Sequence, residues 1–424
     1  MPGDVSGNVL GNVQGNVLGA DPMTRPLSQI DAAGRAGIGA AGPARDIVIV
    51  APRNTRFSPK NATSIDLYVH ELACESRFSK AITVFAEAVE QPFEDVTLAC
   101  WSRTESFARR AARIAERRPG LVVVHQHLAT AARLARALAP VPVVLVRHNF
   151  MKPPSNPVTA WLKGSRLRRL AGIAFVSDCC RRVFEAEWGA AAAIGRGGPA
   201  LFVTPNGIAL EEWRPAAEKE RLVLFVGRLA PEKGVLEAAE AMGRALAARP
   251  GWRGRFILDT TRADPAYAAR AHAAIAAAGP DVDLLTDVPH DAVRREMARA
   301  AIALAPTQNA EPFGRVAIEA LACGTALVAA RAGGLVEAAG AGGLLLETPS
   351  AENIAEALQG LMAAPERIDA LGLAGRAHVR RGYGIAAAAG AFDAMISDLM
   401  TPPSMPPSMP SSLPALHALT TGRS

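Results

Sequence analysis

The stretch EPFGRVAIEALACGTALVAARAGGLVE, Glu311 to Glu337, follows the apolar run AIALAP (301–306) after a short polar loop, TQNA. The run reads as a buried strand, PFGRVAIEALACG as a helix, and TALVAA (325–330) as the next strand. Pro312 suits a first helical turn, and Gly324 can close the far end. Gly314 lets a ligand approach the backbone. Strand, loop, helix and strand within 30-odd residues define a parallel βαβ unit.

The same alternation extends in both directions. DIVIVAP (46–52), LVVVHQH (121–127), PVVLVRH (142–148) and GIAFVS (172–177) precede it, as do RLVLFVG (221–227) and RFILD (255–259). Continuous apolar strands separated by helical stretches argue for parallel sheets covered on both faces. The pattern restarts at Arg221 after the turn-rich TPNGIALEEWRP. The expectation is an α/β protein of two Rossmann-like doubly wound domains, 45–205 and 206–380, facing across a cleft. A crossover helix follows over 381–400. Ligands of such sheets bind beyond the strand C-terminal ends, which puts the site in that cleft.

At 424 residues the chain exceeds one typical core. The GNVLGNVQGNVLG repeat within 1–44 sets glycine at a helix-like period, which opposes a helix. The Pro/Ser tail of 401–424 cannot pack a core. Both read as disordered. No basic, apolar leader and no run of about 18 apolar residues occurs. The five cysteines show no CxxC pair and no metal spacing. These features fit a cytoplasmic protein. The net charge of +6 favours anionic partners, although only six of the cations are lysines, which suggests compositional bias. No basic stripe is interleaved with aromatics, which argues against nucleic acid. WLKGSRLRRLAGIAF (161–175) combines Trp161, Leu162, Leu167 and Leu170 with Lys163, Arg166, Arg168 and Arg169. It reads either as a basic helix resting on an anionic membrane or as a solvated helix with one face in the core.

Chemistry concentrates at the strand ends. After LVLFVG come Arg228, Lys233 and Gly234. Two cations at a helix start make a diphosphate site, or simply a solvated loop. The amides near Phe313, Gly314, Arg315 and Val316 can cradle a phosphate. Glu311 can hold hydroxyls, and Glu319 lies about two turns along, within reach of a second diol. The bland reading makes Glu311 a helix-dipole residue and Glu319 a solvated one, but the VAI and ALA around Glu319 are too apolar for an exposed charge. His148 and His127 close successive strands on the cleft side. A helix capped by Asn61, Thr63 or Ser64 follows the first strand.

The order GR-x4-KG (Gly227, Arg228, Lys233, Gly234), then E-x7-E within EPFGRVAIEALACG, resembles the retaining GT-B glycosyltransferases called group 1 or GT4. TPNGI (204–208) and FVSDCCRRVFEAEWG (175–189) add to the resemblance, which covers roughly 46–400. It implies that Arg228 and Lys233 bind a donor diphosphate, while Phe313, Gly314 and Arg315 meet phosphate and sugar. Glu311 would hold the donor sugar and Glu319 the ribose. His148 would be the active-site histidine, and His127, Asn61 and Thr63 would face the acceptor. It also implies no cofactor and no metal, with a nucleotide-diphosphate sugar as co-substrate. The reaction expected is retaining hexosyl transfer to a hydroxyl, on a lipid-linked or lipopolysaccharide-core glycan. The rivals are a catalytically silent glycosyltransferase-like subunit and a GT-B sugar-nucleotide epimerase. The chain departs from the family in lacking glycines after the first strand and in FILDTTRADPAY and TDVPHDAV, which leave the base open.

Overall fold

The computed structural model describes residues 46–52, 57–60 and 62–401. The GNV repeat, the Pro/Ser tail beyond Thr401 and Asn61 lie outside the described residues. In chain order the first half runs β1 (Ile47–Val50), α1 (Ser64–Glu75), β2 (Ile82–Glu87), β3 (Leu98–Trp101), α2 (Phe107–Glu116), β4 (Leu121–His125), α3 (Leu128–Ala137), β5 (Val143–Arg147), α4 (Pro157–Leu167), β6 (Gly172–Phe175), α5 (Asp178–Ala192) and β7 (Ala200–Val203). The second half runs β8 (Glu220–Arg228), α6 (Val235–Ala248), β9 (Arg253–Asp259), α7 (Pro265–Ala277), β10 (Val282–Thr286), α8 (His290–Arg299), β11 (Ala300–Ala305), α9 (Arg315–Ala322), β12 (Ala326–Ala330), α10 (Leu335–Ala339), β13 (Gly343–Leu346), α11 (Ala351–Met362), α12 (Pro365–Gly382) and α13 (Ile385–Met400).

The strands form two parallel sheets, ordered β3-β2-β1-β4-β5-β6-β7 and β10-β9-β8-β11-β12-β13. Val48 pairs with Thr83 on one side and Val122 on the other. Leu224 likewise sits between Arg255 and Ala303. Each sheet therefore reverses winding direction once, between β1 and β4 in the first and between β8 and β11 in the second. A crevice opens at such a reversal beyond the strand C-termini. Both crevices are where the chemistry-bearing residues fall.

The central strands of β1, β4, β5, β6 and β12 are buried along their whole length or nearly so, as expected where helices cover both faces. Helix starts follow the capping chemistry. Of the three candidate caps for α1, Thr63 serves: its hydroxyl accepts from the Asp66 N–H while Asp66 accepts from the Thr63 N–H. The segment 161–175 is not one helix. It ends α4 at Leu167 and feeds β6, so Leu167 and Leu170 enter the core while Trp161 and Leu162 stay 65% and 44% exposed.

Helix α13 returns to the first sheet. Phe392, Met395 and Ile396 pack with Ile47, Val84 and Val146, and the Asp393 carboxylate accepts from Ser76 Oγ (2.5 Å) and the Arg77 N–H (3.0 Å). Among the described residues no helix is long and apolar enough to cross a membrane. Because Phe392 is fully buried, Phe392→Ala should cost about 3–5 kcal/mol in denaturant-induced unfolding. A loss below about 1 kcal/mol, the range of surface substitutions, would contradict the packing of α13 on this sheet.

Candidate active site

Three loops converge at the C-terminal edge of the second sheet. Glycines let them touch. Gly234 has φ +73°, and a Cβ there would lie 2.2 Å from the Pro306 carbonyl oxygen. Gly333 has φ +63° and bridges to Glu311, whose carbonyl oxygen would meet its Cβ at 2.4 Å. Polar bonds complete the lock. Thr307 Oγ1 and the Gln308 N–H donate to the Glu232 carbonyl at 2.7 and 2.9 Å, and the Gly334 N–H donates to that of Glu311 at 2.7 Å.

This packing brings Lys233 and Glu311 together, with Lys233 Nζ 2.6 Å from Glu311 Oε2. Arg228 is more exposed and donates to Glu232 at 2.8 Å. The loop thus holds two cations, each balanced by one carboxylate. Contrary to expectation, Pro312 is not in the helix: α9 starts at Arg315, with Gly314 as its cap at φ +99°. A Cβ on Gly314 would lie 2.6 Å from Leu335 Cδ1, so both the left-handed φ and the packing favour glycine there. Pro312 contributes its carbonyl instead, accepting from Ser177 Oγ at 2.6 Å. Phe313 is buried against Tyr383, with ring centroids 5.5 Å apart. The amides of Arg315 and Val316 precede any intrahelical acceptor, while the Ala317 N–H already donates to the Gly314 carbonyl at 3.0 Å.

Arg315 and Glu319 form a buried charge cluster. Arg315 Nε lies 2.9 Å from Glu319 Oε1, and Nη2 lies 3.0 Å from Glu71 Oε1 on α1. Glu319 is 4% exposed, so it is not a solvated residue. Burial works against the Arg315 charge, but Glu71 and Glu319 outweigh it and hold its pKa above the usual value. Burial pushes the Glu71 carboxyl up against the pull of Arg315. Arg315 Nη1 and Glu71 Oε2 are buried with no protein partner.

In the first sheet, His148 follows β5 and bonds through Nε2 to Nδ1 of His125, the last residue of β4, at 2.9 Å. One nitrogen donates and the other accepts. Tyr68 of α1 meets both rings edge-on, at 5.9 and 4.9 Å, and its hydroxyl donates to the Thr204 carbonyl at 3.1 Å. His127 is exposed and does not join that pair. It stands at the start of α3 after Gln126, whose φ of +66° is rare for a residue with a side chain. His127 lines a pocket with Trp101, Phe107, Arg110 and His125. Thr63 is occupied in capping α1.

The structure adds four residues that sequence reading passes over: His125, Tyr68, Glu71 and Glu337. Glu337, on α10, accepts from the Asp178 and Cys179 amides at the start of α5, at 2.9 and 2.6 Å. A carboxylate there answers the helix's positive end. The signals existed, since His125 closes VVVH and Glu337 closes the quoted GGLVE, but only the fold joins them to partners.

Residues 210–378 match the family described as glycosyl transferases group 1. A D-inositol 3-phosphate glycosyltransferase of Segniliparus rotundus is 33% identical over 194 residues, 43% of this chain and 43% of that protein. The chain thus spans less than half the length of that curated relative. Among solved structures, sucrose-phosphate synthase from Thermosynechococcus elongatus superposes with a TM-score of 0.66 at 19% identity, covering 84% of this chain and 99% of that one. Anabaena Alr3699/HepE, in complex with UDP and glucose, gives 0.66 at 17% identity, covering 84% and 100%. Residues 210–378 are therefore a group 1 glycosyl transferase domain. The chain has the two-sheet GT-B architecture.

Burial holds the pKa of His125 down at about 3, and burial, His125 and Arg147 together hold that of His148 well below its usual value. An unfolded histidine titrates near pH 6.5, so below that the unfolded chain binds more protons. The stability of the neutral pair is thus present above about pH 6.5 and lost as the pH falls. His148→Gln removes one of the two titrations. Its unfolding midpoint should fall less steeply than wild type between about pH 6.5 and 5; equal slopes would show that the pair is not the group responsible.

Proposed function

We propose that the protein transfers a hexosyl group from a nucleotide-diphosphate sugar to a hydroxyl acceptor, with retention at the anomeric carbon and no metal in the transfer step. The observation that carries this reading is the Lys233–Glu311 pair beside the half-buried start of α9, at the winding reversal of the second sheet. A diphosphate offers Lys233 a stronger partner than one carboxylate. That exchange frees Glu311 to accept from sugar hydroxyls at the point where the phosphate ends. Arg228 and the amides of α9 stabilise the charge that grows on the departing diphosphate. Glu319, held by Arg315, is assigned the ribose. Retention is carried by the resemblance to the group 1 family.

His148 stays neutral at physiological pH, so its part is a hydrogen bond to the transferred sugar rather than proton donation by an imidazolium. The acceptor is assigned to the first-sheet pocket, where Trp101, Arg110 and His127 offer an aromatic wall and polar groups. A lipid-linked or lipopolysaccharide-core glycan is supported by α4, where Val158, Trp161 and Leu162 are exposed beside the basic Arg166. That combination fits an anionic membrane surface on the cytoplasmic side.

A thermal-shift panel of uridine, guanosine and adenosine diphosphate sugars tests the donor site. One base at about 100 times its Kd should stabilise the fold by roughly 2.7 kcal/mol. Lys233→Ala should abolish the shift. Glu311→Gln should keep the shift with the nucleoside diphosphate alone while turnover falls by about 100-fold or more, the scale of a lost transition-state contact. No shift with any nucleotide sugar, for folded protein, would favour the silent-subunit reading.

A further inference from the structure

His70 and Cys74 lie one turn apart on α1, in HELAC, and face the loop between β2 and β3 that carries Asp95. His70 Nε2 is 2.7 Å from Asp95 Oδ1 and 3.5 Å from Cys74 Sγ. Cys74 Sγ is 3.5 Å from Asp95 Oδ2. A zinc ion bound tetrahedrally at its usual bond lengths to sulfur, nitrogen and oxygen sets those ligand atoms about 3.3–3.6 Å apart. The His70–Cys74 separation already has that value. Asp95 meets His70 with one carboxylate oxygen and Cys74 with the other, and the 2.7 Å contact to His70 opens by about 0.6 Å for an ion to enter between them.

The imidazole is also held in place. Phe93 stacks on His70 with ring centroids 4.0 Å apart and planes 17° apart, and Phe57 meets Phe93 edge-on at 4.9 Å. The Nε2 edge is therefore aimed at Asp95 before any ion arrives. A histidine–aspartate pair alone does not require a thiol as third corner. Thiolate, imidazole and carboxylate together are a donor set for zinc rather than for magnesium or calcium. A scan of the sequence for CxxC pairs overlooks it, because the i, i+4 spacing on a helix and a ligand 21 residues further on leave no local cysteine motif.

We propose that His70, Cys74 and Asp95 bind one zinc-class divalent cation, with the fourth position taken by water on the exposed side of Asp95. Binding forms a metal–sulfur bond at Cys74 and releases the thiol proton to solvent. The ion ties α1 to the β2–β3 loop. Because α1 also carries Tyr68 and Glu71, it fixes the helix that contacts the histidine pair and Arg315. The proposal is independent of the donor-site reading, since its ligands include none of the residues assigned to the transfer.

Chelator-stripped full-length protein titrated with cobalt(II) tests it. One equivalent should give a thiolate-to-cobalt charge-transfer band in the near ultraviolet and the intense visible bands of a tetrahedral site, both bleached by zinc. Cys74→Ser should lose the charge-transfer band and weaken zinc binding by about 100-fold or more, above the range for supporting residues. Asp95→Asn keeps a hydrogen-bonding group at that position and should also weaken binding. Zinc should raise the unfolding midpoint of wild type and not of Cys74→Ser. A pale octahedral cobalt spectrum from wild-type protein would overturn the site without recourse to any variant. So would zinc binding by folded Cys74→Ser as tight as that of wild type.

Discussion

Charge buried between the two sheets fixes the geometry of the cleft. Arg315, at the first turn of α9, is flanked by Glu319 on its own helix and Glu71 on α1 of the other sheet. Removing one member of such a cluster strands a charge away from water, at a typical cost of about 3–5 kcal/mol. A second contact comes from α10, where the Glu337 carboxylate holds the first amides of α5. Ser177, the cap of α5, reaches across to the Pro312 carbonyl. Three contacts of different chemistry thus set where α9 points and where its free amides lie.

On that frame the glycines do local work. Gly234 and Gly333 have no side chain because the carbonyls of Pro306 and Glu311 occupy that space. The close approach holds Lys233 against Glu311. A cation and a carboxylate in contact are poised for a ligand carrying both negative charge and hydroxyl groups, which can satisfy the two together.

The sequence was most legible where burial was most uniform. Strands β1, β4, β5, β6, β8, β9, β11 and β12 were read because both faces are covered and their residues run apolar. Strands β3, β7, β10 and β13 are not legible: all four are edge strands and mostly only partly buried, β10 (VDLLT) is broken by polar residues, and LACW, ALFV and GLLL are runs of only four residues. β2 is buried throughout most of its length, yet no glycine or proline separates ITVFAE from the helical pattern before it. Pro312 misled because proline is common at a first helical turn, while the αL cap at Gly314 moved the start to Arg315. Among site residues, Arg228, Lys233, Glu311 and Glu319 stood out by type and spacing. His125, Glu71 and Glu337 did not, since their partners are distant in sequence and only the fold brings them together.

The most direct measurement of the central claim is hydrogen exchange of the backbone amides with and without a saturating nucleoside diphosphate sugar. The account predicts slowed exchange in two segments, the loop from Arg228 to Gly234 and the start of α9 from Gly314 to Ala317, with the first-sheet edge strands unchanged. Protection confined to the first sheet, or none in either segment despite measured binding, would contradict it.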